Sequence, residues 1–212
     1  MHIPDGFLNI ATAASTYAVS VGGITYGVRA ANKKLGEKHV PLMGVMAAFI
    51  FAAQMLNFPV AGGTSGHFVG AALAAILLGP WAGVLIMSCV LLVQCLIFQD
   101  GGLIAMGANI LNMGLIACLV GYYVHRGITW LWGGGRKAML AGGFAASWVA
   151  VVVASIACAA ELSISGIVPW AVALPAMGGV HALIGIGEGL VTIAVLSLLR
   201  ASRADLLELQ KV

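Results

Sequence analysis

The sequence predicts an all-α fold, a polytopic bundle of transmembrane helices, and three observations carry that expectation. Of 212 residues, 61% are hydrophobic and only 8% charged, a balance that one water-soluble core of this size could not hide. Apolar windows of the length a bilayer requires, about 20 residues, recur along the chain with short polar breaks between them. The 29 glycines, accompanied by many alanines and serines, suit helices that pack closely in lipid, where small residues let backbones approach. One integral-membrane domain over residues 1–212 is expected, with the lipid bilayer around it and no nucleic-acid partner.

Seven spans are predicted, at residues 9–31, 39–57, 67–79, 81–98, 103–124, 138–160 and 176–199. The first follows "MHIPDGF" and runs almost without charge to Arg29; the second ends at Gln54 and Asn57. Ser65 and His67 open the third, which is short and passes into the fourth through "LLGPW", where Gly79 and Pro80 can stop one helix and start another. Gln99 and Asp100 close the fourth, Arg126 follows the fifth, Arg136 and Lys137 precede the sixth, and Arg200 follows the seventh.

Basic residues give the orientation. Arg29, Lys33, Lys34 and Lys38, then Arg126, Arg136 and Lys137, then Arg200, Arg203 and Lys211 all fall on one side of a seven-span chain. That side is cytoplasmic by the positive-inside rule, with the N-terminus outside and the C-terminus inside. Fusing spans three and four would break the pattern. Small residues at helical spacing predict packing faces, within the bundle or as a docking face for a membrane partner: Gly44, Ala48 and Ala52; Gly142, Ala146, Ala150, Ala154 and Cys158; Gly185 and Gly189. The cysteines, Cys89, Cys95, Cys118 and Cys158, form no CxxC pair and are expected to be inert, with no disulfide framework.

Polar residues inside membrane spans are costly and mark cavities or pathways. In this topology Gln54, Asn57, Ser65, His67, Gln94, Gln99, Asp100, Asn109, Asn112 and His181 gather toward the outer side, predicting a polar pocket open to the outside. The chain start supplies its chemistry. The first basic residue, Arg29, comes after the first apolar run, which is not the pattern of a cleavable leader, and His2 is too large to favour removal of Met1. A free Met1 amine, the His2 amide nitrogen and the His2 imidazole can close a five-membered and a six-membered chelate ring, placing three nitrogens in one plane. His67 is the expected fourth donor. Square-planar nitrogen ligation suits Ni(II) or Cu(II) rather than zinc or magnesium. Pro4 fixes the turn after Ile3, and Asp5 is expected either to cap the first helix or to accept an imidazole N–H.

The stretches "MHIPDGF" (1–7), "GGTSGHFVGAALAAILLGPWAG" (62–83), "QDGGLIAMGANILNMG" (99–114) and "HALIGIGEGL" (181–190) resemble the CbiM/NikM family. These are the substrate-binding (S) membrane components of energy-coupling-factor importers for nickel and cobalt. The resemblance covers nearly the whole chain. It implies capture of the bare cation, Ni2+ in preference to Co2+, by Met1, His2 and His67, with the metal as transported substrate and no organic cofactor. Asp5, Ser65, Gln94, Asp100, Asn109, Asn112 and His181 are the residues expected around those ligands. "PDG" and "DGG" look like the nickel branch, since cobalt-branch members often carry histidine where Asp100 stands. The resemblance also implies a transmembrane coupling (T) subunit, ATP-binding subunits, a further small membrane subunit, and a prokaryotic cell membrane as the location. "GGGRK" at 133–137 is no P-loop, so energy has to come from such partners.

Two other readings compete. "GTSGHFVG" (63–70) fits the GxSGxxxG pattern of rhomboid intramembrane proteases, with Ser65 as nucleophile and His181 as base. Glu188, two helical turns from His181, could instead serve a self-sufficient ion-coupled transporter as a relay or act as a structural lock.

Overall fold

The computed structural model describes residues 1–34, 36 and 39–207. Lys38 and Lys211 lie outside the described residues. The chain is mostly helical: α1 (Ile10–Lys34), α2 (His39–Gln54), α3 (Ala71–Leu78), α4 (Pro80–Phe98), α5 (Met106–Leu131), α6 (Gly135–Ile164), α7 (Trp170–Ser202) and a closing 3-10 turn, Ala204–Leu207. Between α2 and α3 sits a two-stranded antiparallel hairpin, β1 (Phe58–Pro59) and β2 (Ser65–Gly66), pairing Phe58 with Gly66 and Pro59 with Ser65. This short ladder departs from an all-helical reading. Two-residue strands show no period-2 pattern from which a sequence could announce them.

Every predicted window holds a helix, but their lengths differ. Four helices, α4 to α7, are long and apolar enough to cross a bilayer. α1 has the length, at 25 residues, yet carries Thr12, Ser15, Thr16 and Ser20. α2 has 16 residues, and the third window is helical only over the eight residues of α3, about 12 Å of rise. That is too short to cross alone, because residues 67–70 are not helical and Gly70 turns the chain at φ +77°. The last helices overrun their windows at both ends, since a backbone ladder does not stop where side chains become polar. Seven residues of α5, Ile110–Ile116, form a π-helical stretch, a feature that often sits near functional positions.

α3 is the centre of the molecule. All eight of its residues are buried, enclosed by α4, α5 and α6. The approach is close where glycine allows it: a Cβ added to Gly121 of α5 would come 2.7 Å from the Ala72 side chain, and one on Gly83 of α4 would lie 3.2 Å from the Ala75 backbone. Such contacts bring dispersion and backbone packing where lipid offers no hydrophobic drive between helices. The stripe Gly142, Ala146, Ala150, Ala154, Cys158 is buried, as are Gly185 and Gly189, which face Trp148 and Phe144. The α2 stripe behaves otherwise. Gly44, Ala48 and Ala52 are exposed, so the expectation of packing within the chain fails there, because α2 turns its larger side chains Ile50 and Gln54 inward. Cys95, Cys118 and Cys158 are buried, Cys89 is exposed, and all four are free thiols.

Candidate functional site

The first five residues run into the fold rather than away from it. Met1 and Ile3 are fully buried and His2 nearly so. The Ile3 amide donates to Asn109 Oδ1 at 2.8 Å, Asn109 Nδ2 donates back to the Ile3 carbonyl at 3.1 Å, and the Gly102 amide donates to that same carbonyl at 2.8 Å. Pro4, with no N–H to satisfy, turns the chain, and Asp5 then accepts three successive backbone N–H groups. Ile104 and Ala105 reach Oδ1 at 2.7 and 3.3 Å, and Leu103 reaches Oδ2 at 3.0 Å. Asp5 therefore neither caps α1 nor touches an imidazole; it staples the tail to the loop before α5. Gly102 is required there, because any Cβ would collide with Asp5.

This anchoring delivers the chain start to the hairpin. The Met1 nitrogen lies 2.7 Å from His67 Nε2 and 3.0 Å from Ser65 Oγ, and the His2 amide donates to the same hydroxyl at 3.0 Å. His67 Nδ1 is 2.7 Å from the Phe68 carbonyl. A carbonyl only accepts, so Nδ1 carries the proton and Nε2 keeps its lone pair for the site. The His2 and His67 rings lie 4.6 Å apart, centroid to centroid. His2 Nε2 faces Asp100 Oδ2 at 3.7 Å, and Asp100 is itself held by Asn57 Nδ2 at 2.8 Å. At 3.7 Å the two make no hydrogen bond, but an Nε2–H turned toward the carboxylate is the tautomer that would leave Nδ1 for a chelate ring. Gly101, at φ +93°, makes room: a Cβ on it would approach His2 Nδ1 to 3.3 Å.

Burial sets the protonation. Loss of water pulls the Met1 amine from 8.0 down to about 5. The same burial, with the neighbouring amine, holds His2 well below the usual histidine range, while burial raises Asp100. A neutral amine donates its two N–H groups to Ser65 and His67 and still has a lone pair. Metal–nitrogen bonds of about 2.0 Å at right angles separate neighbouring donors by about 2.8 Å, close to the spacing of Met1 and His67.

Seven of the ten expected residues thus meet in one network: Met1, His2, Asp5, Ser65, His67, Asp100 and Asn109. Of the other three, Asn112 and Gln94 stand apart, while His181 lies at the edge of the network against the Ser65 backbone. Asn112 donates to Glu161 at 2.6 Å, His181 pairs through Nδ1 with the Met177 carbonyl at 2.7 Å, and the buried Gln94 amide has no hydrogen-bond partner among the described residues. The Ser65 hydroxyl is engaged by the Met1 amine and the His2 amide and makes no hydrogen bond to the His181 ring among the described residues, and that is the contact a serine-protease reading needs. Sequence reasoning placed Asn57 in the outer polar pocket without its partner Asp100 and missed the backbone amides of 102–105; "PDG" and "DGG" were the signal, two short turns that interlock.

The geometry has relatives. A family model described as "Cobalt uptake substrate-specific transmembrane region", CbiM, matches residues 2–206. The chain belongs to the CbiM family. It is 46% identical over 210 residues to an Archaeoglobus fulgidus protein named as a fused nickel transport protein, NikMN, covering 98% of this chain and 68% of that one. The cobalt transport protein CbiM of Geobacter sulfurreducens is 32% identical over 98% of this chain and 61% of its own. A crystal structure described as a truncated transition metal transporter superposes with a TM-score of 0.88 at 35% identity, covering 95% of this chain and 99% of the other. Membership of CbiM, with four apolar helices, makes this a multi-pass membrane protein of a family whose members are named for nickel and cobalt transport.

Proposed function

We propose that the protein captures a bare divalent transition-metal ion, Ni2+ in preference to Co2+, as the substrate-binding component of an ATP-driven energy-coupling-factor importer in a prokaryotic cell membrane. The observation that carries this is the Met1 nitrogen seated 2.7 Å from His67 Nε2, with the His2 amide and imidazole beside them. Amine, amide, His2 Nδ1 and His67 Nε2 would form the square, Asp100 would hold the His2 ring, and Ser65, Asn109 and Asp5 would hold the tail. Planar nitrogen donors, one of them an amide that must lose its proton, favour nickel.

The bundle is read as one integral-membrane unit of seven helices, with the metal mouth outside. Leu42 at the start of α2, Leu78 at the end of α3 and Leu199 near the end of α7 line one groove, which supports alternation of these helices and the clustering of basic residues on the opposite, cytoplasmic side. A transmembrane coupling subunit, ATP-binding subunits and a small further membrane subunit would supply energy and reorient the site, and a shift of His67 would release the ion. The deciding measurement is the absorption spectrum of the purified protein, with its native first residue, saturated with nickel. A yellow diamagnetic complex is expected; an octahedral spectrum would overturn the nitrogen square.

A further inference from the structure

Glu188 is an acidic side chain of α7, almost wholly buried, in a helix that must cross the bilayer. It accepts the Val69 amide at 2.8 Å through Oε2 and the Gly70 amide at 2.9 Å through Oε1. Its two oxygens therefore grip consecutive peptide groups at the N-terminus of α3, where the helix dipole also favours a negative charge. From the other side, Gln54 of α2 donates to the Val69 carbonyl at 2.7 Å. The segment cannot slide: Gly70 sits at φ +77°, and a Cβ there would come within 2.8 Å of both Ile50 and Phe68.

His67 lies two residues before this clamp, and α7 holds the chain on its other side as well. One turn before Glu188, Ile184 packs so closely on Gly66 that an added Cβ would lie 3.0 Å from it. Two further turns back, Met177 Sδ receives the Thr64 amide at 3.4 Å. Met177, Ile184 and Glu188 follow helical spacing along one face of α7, and that face lines residues 64–70 on both sides of His67.

Resting on the metal-capture reading above, we propose that Glu188 is the positioning residue for His67: by clamping Val69 and Gly70 it fixes His67 Nε2 at bonding distance from the chain start, so the setting of α7 against α3 governs metal affinity. A displacement of α7 along its axis would carry the clamp with it and withdraw one corner of the square, leaving the other three donors on the tail.

The test is nickel titration of the purified full chain with its native first residue, read by calorimetry and by the planar absorption band. Glu188→Gln keeps the volume but offers one acceptor for two N–H groups; it should weaken nickel binding about 10- to 100-fold, the range seen when an outer partner of a ligand is lost, and bleach the band. In a His67→Ala background the same change should add no more than about twofold, since residues acting through one another are not additive. Gln54→Leu frees the Val69 carbonyl and should repeat this pattern, which keeps the question open to test if Glu188→Gln does not fold. Unchanged affinity in the folded variants, or equal losses with and without His67, would overturn the proposal. If the unaltered protein itself shows no planar band, the nitrogen square fails first, and that outcome is separate from failure of the clamp.

Discussion

Residues 1–5 and residues 64–70 meet at one point, yet they are held there by different means. In the proposed site the tail would bring three of the four donors, and it is fastened by groups that meet it directly: Asn109 at Ile3, the amides of 103–105 at Asp5, Asp100 beside His2. The hairpin arm would bring one donor, His67, and is fastened two and three residues further on, by Glu188 of α7 at Val69 and Gly70 and by Gln54 of α2 at Val69. A chelating tail is nearly complete in itself, so its donors need only a seat. A single imidazole has no chelate ring to hold it and depends on the packing of whole helices. On the proposed reading, the contrast would give capture to the tail and release to the arm.

The strongest way to break that division is to remove a donor from each arm in turn. Acetylating the Met1 amine removes one corner and the five-membered ring together, and nickel binding by calorimetry should become undetectable. His67→Ala leaves a tridentate remnant that still binds, more weakly by more than the 10- to 100-fold typical of an outer partner. If the acetylated protein binds nickel tightly while His67→Ala does not, the arm rather than the tail is the principal site.

Next in size are changes that leave the donors and loosen the seat. Asp5→Asn keeps one acceptor oxygen for three N–H groups, and Asn109→Leu removes both of its bonds to Ile3. Each should cost about 10- to 100-fold in nickel affinity while leaving the planar band at the same position, because the donor set is unchanged. A shifted band would mean that the tail no longer supplies the same three nitrogens.

Much of this was legible from residue types, and the physical reasons for the gaps differ. Met1 and His2 stood out because an amine, an amide and an imidazole at that spacing can close chelate rings whatever the fold, and His67, named as the fourth donor, does lie beside the Met1 nitrogen. The helices were found because lipid demands long apolar runs. What distance in sequence hides is the partner of a backbone group. Asp5 could be read as a cap for α1, but its acceptors are satisfied almost a hundred residues away at 103–105. Glu188 read as a relay or a lock, and only the fold brings it to Val69 and Gly70. The third span was expected, but not that its helix would begin only at Ala71, since Ser65 to Gly70 sit next to an apolar run and carry no stop signal beyond glycine.

Proton release offers a smaller, signed test. With the amine drawn down to about 5 and His2 held low by burial, neither carries a proton to displace above about pH 6; only the His2 amide must lose one. Nickel affinity should therefore rise about tenfold per pH unit between about pH 6 and 8, and fall more steeply once pH drops toward 5 and the amine protonates. A flexible Met-His peptide, whose amine titrates near about 7.7 to 8.0, should show the steeper slope throughout. Equal slopes for protein and peptide would mean that the tail is not buried before the metal arrives.

The smallest effect belongs to Ser65, and its sign is the informative part. In the metal-free protein its hydroxyl accepts both the Met1 amine and the His2 amide. Once nickel replaces the amide proton, that second bond has no donor, so the hydroxyl stabilises the free state more than the bound one. A buried N–H left without an acceptor costs about 1–3 kcal/mol. Ser65→Ala should place that cost on the free protein and raise nickel affinity by up to about tenfold, equivalent to about 1.4 kcal/mol. A loss of tenfold or more would reverse the assignment, showing that the hydroxyl turns to donate to the deprotonated amide and belongs with the donors it now serves only as an acceptor.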